Sequence, residues 1–253
     1  MLVKVCGMRN NDNILAVEKL GVDIIGFIFY PQSPRYFFGE NRNKSVDFIN
    51  NEKRINELNT YIAEGYSKKV HDKNDDNCFG IDIHNHNSLL HRYMPKWCKR
   101  AGVFVNMSVD DILNIAKALQ LDYIQLHGDE STSVCKEIKE SGFNVIKTFH
   151  IEKEDDITNI DKEYHRFCDI FLFDTKCSVY GGSGREFDWN LLNKYKGPTP
   201  FIISGGVGYD NINEIKKFHH PHLLGVDLNS KFESSPGVKN ITLLKQYISE
   251  LKN

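Results

Sequence analysis

Short apolar runs recur along the chain, and each gives way to a turn signal and then, in most cases, to helical spacing. The runs are Leu2–Val5, Ile24–Phe27, Gly102–Val105, Tyr123–Leu126, Asn144–Thr148, Ile170–Phe173, Phe201–Ser204 and Leu223–Leu228. Their bounded length and their β-branched or aromatic content predict eight strands rather than pieces of buried helix. After the first run, NNDNILAVEKLG offers Asp12 or Asn13 as a cap. It sets Ile14, Val17 and Leu20 on one face and stops at Gly21. After the fourth, DESTSVCKEIKESG carries Val134 and Ile138 and stops at Gly142. After the seventh, Asp210 precedes Ile212, Ile215 and Phe218, and Pro221 ends the run. The last helix carries Ile241, Leu244, Ile248 and Leu251 on one stripe.

Alternating strands and helices imply parallel strands with crossover helices. Eight such units in this length predict an α/β chain folded as a single (βα)8 TIM barrel. A doubly wound open sheet is the alternative, but the G-x-G-x-x-G turn usual after its first strand is missing. One segment breaks the rhythm. From Tyr36 to Ala101 the chain spends about 65 residues where one βα unit needs roughly half as many. Residues 37–64 read as polar helix, and residues 65–98 as a polar insertion between strands two and three of one domain spanning 1–253. His84, His86, His91, Cys78 and Asp82 in it invite a metal reading, but no recognised ligand spacing is matched. An Asn- and Asp-rich surface excursion is the expectation.

The chain has 253 residues, with 32 basic against 34 acidic side chains and a net charge of −2. That balance gives no electrostatic case for a nucleic-acid partner. Forty per cent hydrophobic residues supply a sizeable core. The six cysteines (Cys6, Cys78, Cys98, Cys135, Cys168 and Cys177) form no CxxC pair. Cysteine this sparse in a chain this long argues against a disulfide framework and for a reducing, cytoplasmic compartment. MLVKVCGMR runs straight into a strand, unlike a signal peptide, and no apolar run is long enough to span a membrane.

In a barrel of this kind, function gathers at the C-terminal ends of the strands. The first strand ends in Cys6, which shares a face with Lys4 by the two-residue period. A cysteine there is often a small buried hydrophobe, but an adjacent cation stabilises a thiolate. The second strand runs into FYPQSPRYF, where Arg35 is suited to binding a carboxylate or phosphate, or else is a solvated surface arginine. The fourth ends in IQLHGDE, with Gln125 and His127 on one face. His127 alone also reads as a structural hydrogen bond. The sixth ends in FLFDTK. Three apolar residues precede Asp174, and desolvation there would raise its pKa toward that of a usable general acid. The other reading is an ionised cap. YGGSGREFDW follows, with Gly182 and Gly184 freeing backbone N–H groups for an anion. Gly205–Gly206 and Asn229–Ser230 end strands seven and eight, where barrels commonly bind phosphate.

Taken in order, VKVCGMR, GFIFYPQSPRYF, GVFVN, IQLHGDE, FDT, YGGSGREFDW, SGGV and VDLNS…E…PG closely resemble the phosphoribosylanthranilate isomerase family of tryptophan biosynthesis. The resemblance covers nearly the whole chain except residues 37–98. It implies a (βα)8 barrel without cofactor or metal and a small-molecule substrate, as a monomer or homodimer. The activity it implies is the Amadori rearrangement of N-(5-phosphoribosyl)anthranilate to 1-(2-carboxyphenylamino)-1-deoxyribulose 5-phosphate. On the same ground Cys6 is the general base, Asp174 the general acid and Arg35 the holder of the anthranilate carboxylate. Lys4, Gln125, His127, Gly182, Gly184, Gly205, Gly206, Asn229 and Ser230 are the expected substrate contacts.

The chain departs from many members in the eighth loop, Asn229-Ser230-Lys231-Phe232-Glu233, where they have Ser-Ser-Gly-Val-Glu. There Lys231 would add a charge where a backbone contact is lost. One rival is another phosphate-binding barrel isomerase or aldolase, which would use a Schiff-base lysine such as Lys147. The other is a non-catalytic binding barrel, which would show degraded strand-end residues.

Overall fold

A computed structural model describes residues 1–38, 98–174 and 189–252. Eight strands close on themselves: β1 (Leu2–Val5), β2 (Ile24–Ile28), β3 (Lys99–Phe104), β4 (Tyr123–Leu126), β5 (Asn144–His150), β6 (Ile170–Asp174), β7 (Phe201–Ser204) and β8 (Leu223–Leu228). Every neighbour is parallel, and β8 returns to β1 with Lys4 opposite Asp227. The helices are α1 (Asn11–Glu18), α2 (Val109–Ala118), α3 (Thr132–Glu140), α4 (Glu154–Thr158), α5 (Tyr164–Phe167), α6 (Ile212–Lys217) and α7 (Ile241–Lys252). This is the (βα)8 barrel that strand–helix alternation predicts.

Alternation along each strand splits the core in two. Ile146, Ile170, Leu172 and Ile202 fill the barrel interior. Their outward neighbours, such as Val145, Phe171, Phe173, Phe201 and Ile203, pack under the helices in the larger cluster. The polar mouth therefore sits on an apolar plug that fixes the strand ends.

Four details differ from expectation. The cap of α1 is Asn10, whose side chain accepts from the Asn13 N–H, rather than Asp12 or Asn13. Strand β3 begins at Lys99, because Arg100 is fully buried and its guanidinium donates to the Leu119 carbonyl. A buried arginine hides a strand from an apolar-run search. The chain does not turn helical at Phe37. The Phe37 N–H donates to the Ile28 carbonyl, and its ring packs on Phe27, Phe29 and Phe38. A small antiparallel hairpin, β9 (Glu233–Ser235) with β10 (Val238–Lys239), follows β8. The expected polar helix beyond Phe38 and all of the expected insertion except Cys98 lie outside the described residues. No helix among the described residues is long and apolar enough to cross a membrane.

Candidate active site

Lys4 and Cys6 point from β1 and its end into the barrel mouth. Lys4 is fully buried, and its Nζ lies 2.9 Å from Asp227 Oδ2 on β8. Burial opposes the ammonium charge, but Asp227 and Cys6 outweigh it and raise the Lys4 pKa. Cys6 is 4% exposed. Burial pushes its thiol above the ordinary value; Lys4 pulls it down and Asp227 pushes it up again, leaving it raised. The nearby cation thus does less for a thiolate than sequence proximity suggests, because Asp227 shares it. Gly26 on β2 leaves the room in which the sulfur sits: a Cβ there would stand 2.8 Å from Cys6 Sγ.

Arg35 reaches the same mouth from the loop after β2. Its Nε and Nη2 donate to the Glu233 carboxylate at 2.6–3.0 Å, and burial of that carboxylate is outweighed by Arg35 and Lys239, which hold it below its usual range. Lys239 Nζ bonds Glu233 Oε1 at 2.6 Å and Asn229 Oδ1 at 2.8 Å. Arg35 is therefore half-buried and paired, not a solvated surface arginine, with the Nη1 edge of its fork outside these bonds.

Asp174 ends β6 and is 8% exposed. His150 Nδ1 lies 3.3 Å and His127 Nε2 3.8 Å from its Oδ2. On the far side of the His127 ring, Nδ1 is 3.1 Å from Gln125 Nε2 and 3.0 Å from Thr148 Oγ1. Burial, against the pull of Asp174, lowers the His127 pKa to about 4. His127, His150 and Asp174 each offer one ligand atom within 4.8 Å of the others.

The two expected phosphate turns adjoin each other. Gly205 and Gly206 have φ of 82° and 70°, which only glycine adopts freely, so β7 ends in a sharp turn with exposed backbone. One 3₁₀ turn, Ser230–Phe232, follows Asn229. A Cβ on Gly208 would stand 2.8 Å from Lys231 Cδ, which shows how near the two turns are. The Lys231 ammonium is paired with Asp210, so it is not the spare charge its position suggests. Asn229 spends its side-chain oxygen on Lys239. Gly182 and Gly184 lie outside the described residues.

Lys147, the Schiff-base candidate of the rival reading, faces away from the mouth. Ile146 belongs to the interior and Lys147 to the opposite face, where its Nζ binds the Gly128 carbonyl at 2.6 Å and Glu130 at 3.1 Å. The sequence reading missed Asp227, Thr148, His150, Glu233 and Lys239. Asp227 had a signal, an acid inside an apolar strand on the face of Gly225. Lys239 had none, because only the hairpin brings it to the mouth.

A family model described as N-(5'phosphoribosyl)anthranilate (PRA) isomerase matches residues 81–250. An N-(5'-phosphoribosyl)anthranilate isomerase of Phocaeicola vulgatus is 37% identical over 254 residues, covering 100% of this chain and 98% of the relative. One of Parabacteroides distasonis is 37% identical over 251 residues, covering 99% and 93%. Among solved structures, phosphoribosyl anthranilate isomerase from Thermotoga maritima is 28% identical with a TM-score of 0.70, covering 100% of this chain and 99% of its own. Another structure of such an isomerase, in complex with reduced 1-(o-carboxyphenylamino)-1-deoxyribulose 5-phosphate, is 26% identical with a TM-score of 0.67, again covering 100% and 99%. A relative this similar over its full length, and a family model that spans β3 to α7, put the chain in a single family: it belongs to the N-(5'-phosphoribosyl)anthranilate isomerases.

Proposed function

We propose that this chain converts N-(5-phosphoribosyl)anthranilate to 1-(2-carboxyphenylamino)-1-deoxyribulose 5-phosphate, with Asp174 as general acid and Cys6 as general base. The observation that carries the reading is a buried thiol and a buried carboxyl at the C-terminal ends of β1 and β6, facing one mouth with Arg35 at its rim. Asp174 gives its proton to the ribose ring oxygen as the bond from that oxygen to C1' breaks, and the anthranilate nitrogen forms the iminium. The iminium makes the C2' proton acidic, and the Cys6 thiolate takes it. The enolamine then tautomerises to the ketone. Acid and base are each worth roughly 10²–10⁴-fold.

The raised Cys6 thiol fixes how this pair responds to pH. The active form needs Asp174 protonated and Cys6 ionised. Because burial raises the Cys6 thiol, the gain in activity that follows its ionisation runs above the ordinary thiol range.

Arg35 takes the anthranilate carboxylate through its Nη1 edge, with Glu233 fixing the other side of the fork. The backbone of Gly205–Gly206 and Asn229–Ser230, with Gly182 and Gly184, takes the phosphate. Gln125 and His127 line the ribose, and Lys4 positions the thiol. Residues 65–98 take no part in these steps. The test is turnover of freshly prepared phosphoribosylanthranilate, followed by loss of its fluorescence. A folded chain that leaves the fluorescence unchanged overturns the reading.

A further inference from the structure

We propose that His127 Nε2, His150 Nδ1 and Asp174 Oδ2 form a Zn²⁺ site at the barrel mouth, filled at the expense of the Asp174 proton. Zinc with ligands about 2.0–2.1 Å away in a tetrahedron sets those ligands about 3.3 Å apart. The observed separations from Asp174 Oδ2 are 3.3 Å to His150 and 3.8 Å to His127, and all three atoms lie within 4.8 Å of one another, so side-chain shifts of up to about 1.5 Å close the set. The donor set suits the ion, since two imidazoles and a carboxylate are favoured zinc ligands and leave a fourth position open.

The surroundings support the first shell. His127 Nδ1 is 3.0 Å from Thr148 Oγ1. The Gln125 amide is 3.1 Å from the same Nδ1, and its oxygen is buried without a partner as oriented. With the amide turned so that this oxygen faces the ring, Nδ1–H donates to it or to Thr148 and the Nε2 lone pair faces Asp174, as metal-bound histidines are commonly held. The side chain of His150 is 41% exposed and that of Asp174 12%, so the trio opens to solvent on one side and is anchored on the other. The rings of His127 and His150 meet edge to face with centroids 5.3 Å apart, which lets both nitrogens converge without stacking. The three residues stand at or just past the ends of the adjacent parallel strands β4, β5 and β6.

Occupancy would stop catalysis, and that consequence rests on the reading of Asp174 as the acid. A carboxylate bound to Zn²⁺ carries no proton to give to the ribose oxygen. The site itself stands without that reading.

The test uses the full chain, free of any polyhistidine tag and stripped with a chelator. Zn²⁺ is titrated by calorimetry, Co²⁺ by its visible bands, and turnover is read in parallel. One ion per chain is expected, with no thiolate charge-transfer band, and with turnover lost on binding and restored by chelator. His150→Ala should weaken the ion by about 100-fold, at least the loss seen when a supporting group is removed from a metal site. His150→Asp, which keeps a ligand, should recover most of that. Binding that is absent at submillimolar Zn²⁺, or unchanged in His150→Ala, overturns the site. Binding that depends on His150 while turnover continues upholds the site and overturns Asp174 as the acid. Asp174→Ala in metal-free buffer tests that assignment separately.

Discussion

Substituting Gly26 with alanine moves the Cys6 sulfur without touching Cys6 itself. The added Cβ would stand 2.8 Å from Sγ, 3.2 Å from Cys6 Cα and 3.3 Å from Cys6 Cβ. Non-bonded atoms prefer at least ~3.5 Å, so the sulfur must retreat by about 0.7 Å. Overpacking of this kind costs about 1–3 kcal/mol of stability. For a chain of this size that lowers the melting temperature by roughly 2–4 °C per kcal/mol. The kinetic cost is the sharper reading. Displacing a reacting group by about 1 Å can slow a step by ~10²-fold, so a loss of about 10- to 10²-fold in kcat is expected. The assay is the decay of substrate fluorescence in a variant whose circular dichroism matches the parent. The thiol should matter less once displaced. Cys6→Ala placed on Gly26→Ala should therefore cost much less than Cys6→Ala alone. A folded Gly26→Ala enzyme at full kcat would refute the claim that sulfur position limits the rate.

The remaining predictions concern the same mouth. Cys6→Ala and Asp174→Ala should each lower kcat by about 10²-fold or more with folding intact, and a fully active Cys6→Ala variant removes the thiol as base. The rise of kcat/KM with pH that follows Cys6 ionisation should lie above the ordinary thiol range, because burial raises Cys6, and it should vanish in the residual activity of Cys6→Ala; a rise that survives belongs to another group. Asp227→Asn strands a buried ammonium and should cost about 3–5 kcal/mol in urea unfolding, while the paired change Lys4→Met with Asp227→Leu should cost less. Arg35→Ala should raise KM more than it lowers kcat, and an unchanged KM would show that the carboxylate binds elsewhere.

The barrel was legible because its strands are short apolar runs set off by glycine and proline, a signal carried by neighbouring residues. Strands β1, β4, β7 and β8 fall on the residues the pattern predicts. Strand β3 was mistaken at its start because Arg100 buries a charge, which only the Leu119 carbonyl reveals. The strand-end residues were legible for the same local reason, and Cys6, Arg35, His127 and Asp174 do gather at one mouth. Their partners were not. Asp227 lies 223 residues from Lys4, and Glu233 lies 198 from Arg35. No local period registers a pairing made only when the barrel closes or the hairpin folds back.

That closure bears on how the protein is made. The Lys4–Asp227 pair, the bond from the Cys6 N–H to the Leu228 carbonyl and the Asn13–Lys239 clasp all join the two ends of the chain. Contacts between distant parts of a chain form slowly, since their loop entropy must be met before they reward it. During synthesis the first strand emerges with a lysine and a thiol that have no counterpart until the last strand leaves the ribosome. Until then Cys6 is a solvent-facing thiol, open to oxidation and alkylation. Burial of Cys6 against alkylating reagents is thus a clock for the final docking of β8, readable in a refolding chain by the moment its reactivity disappears.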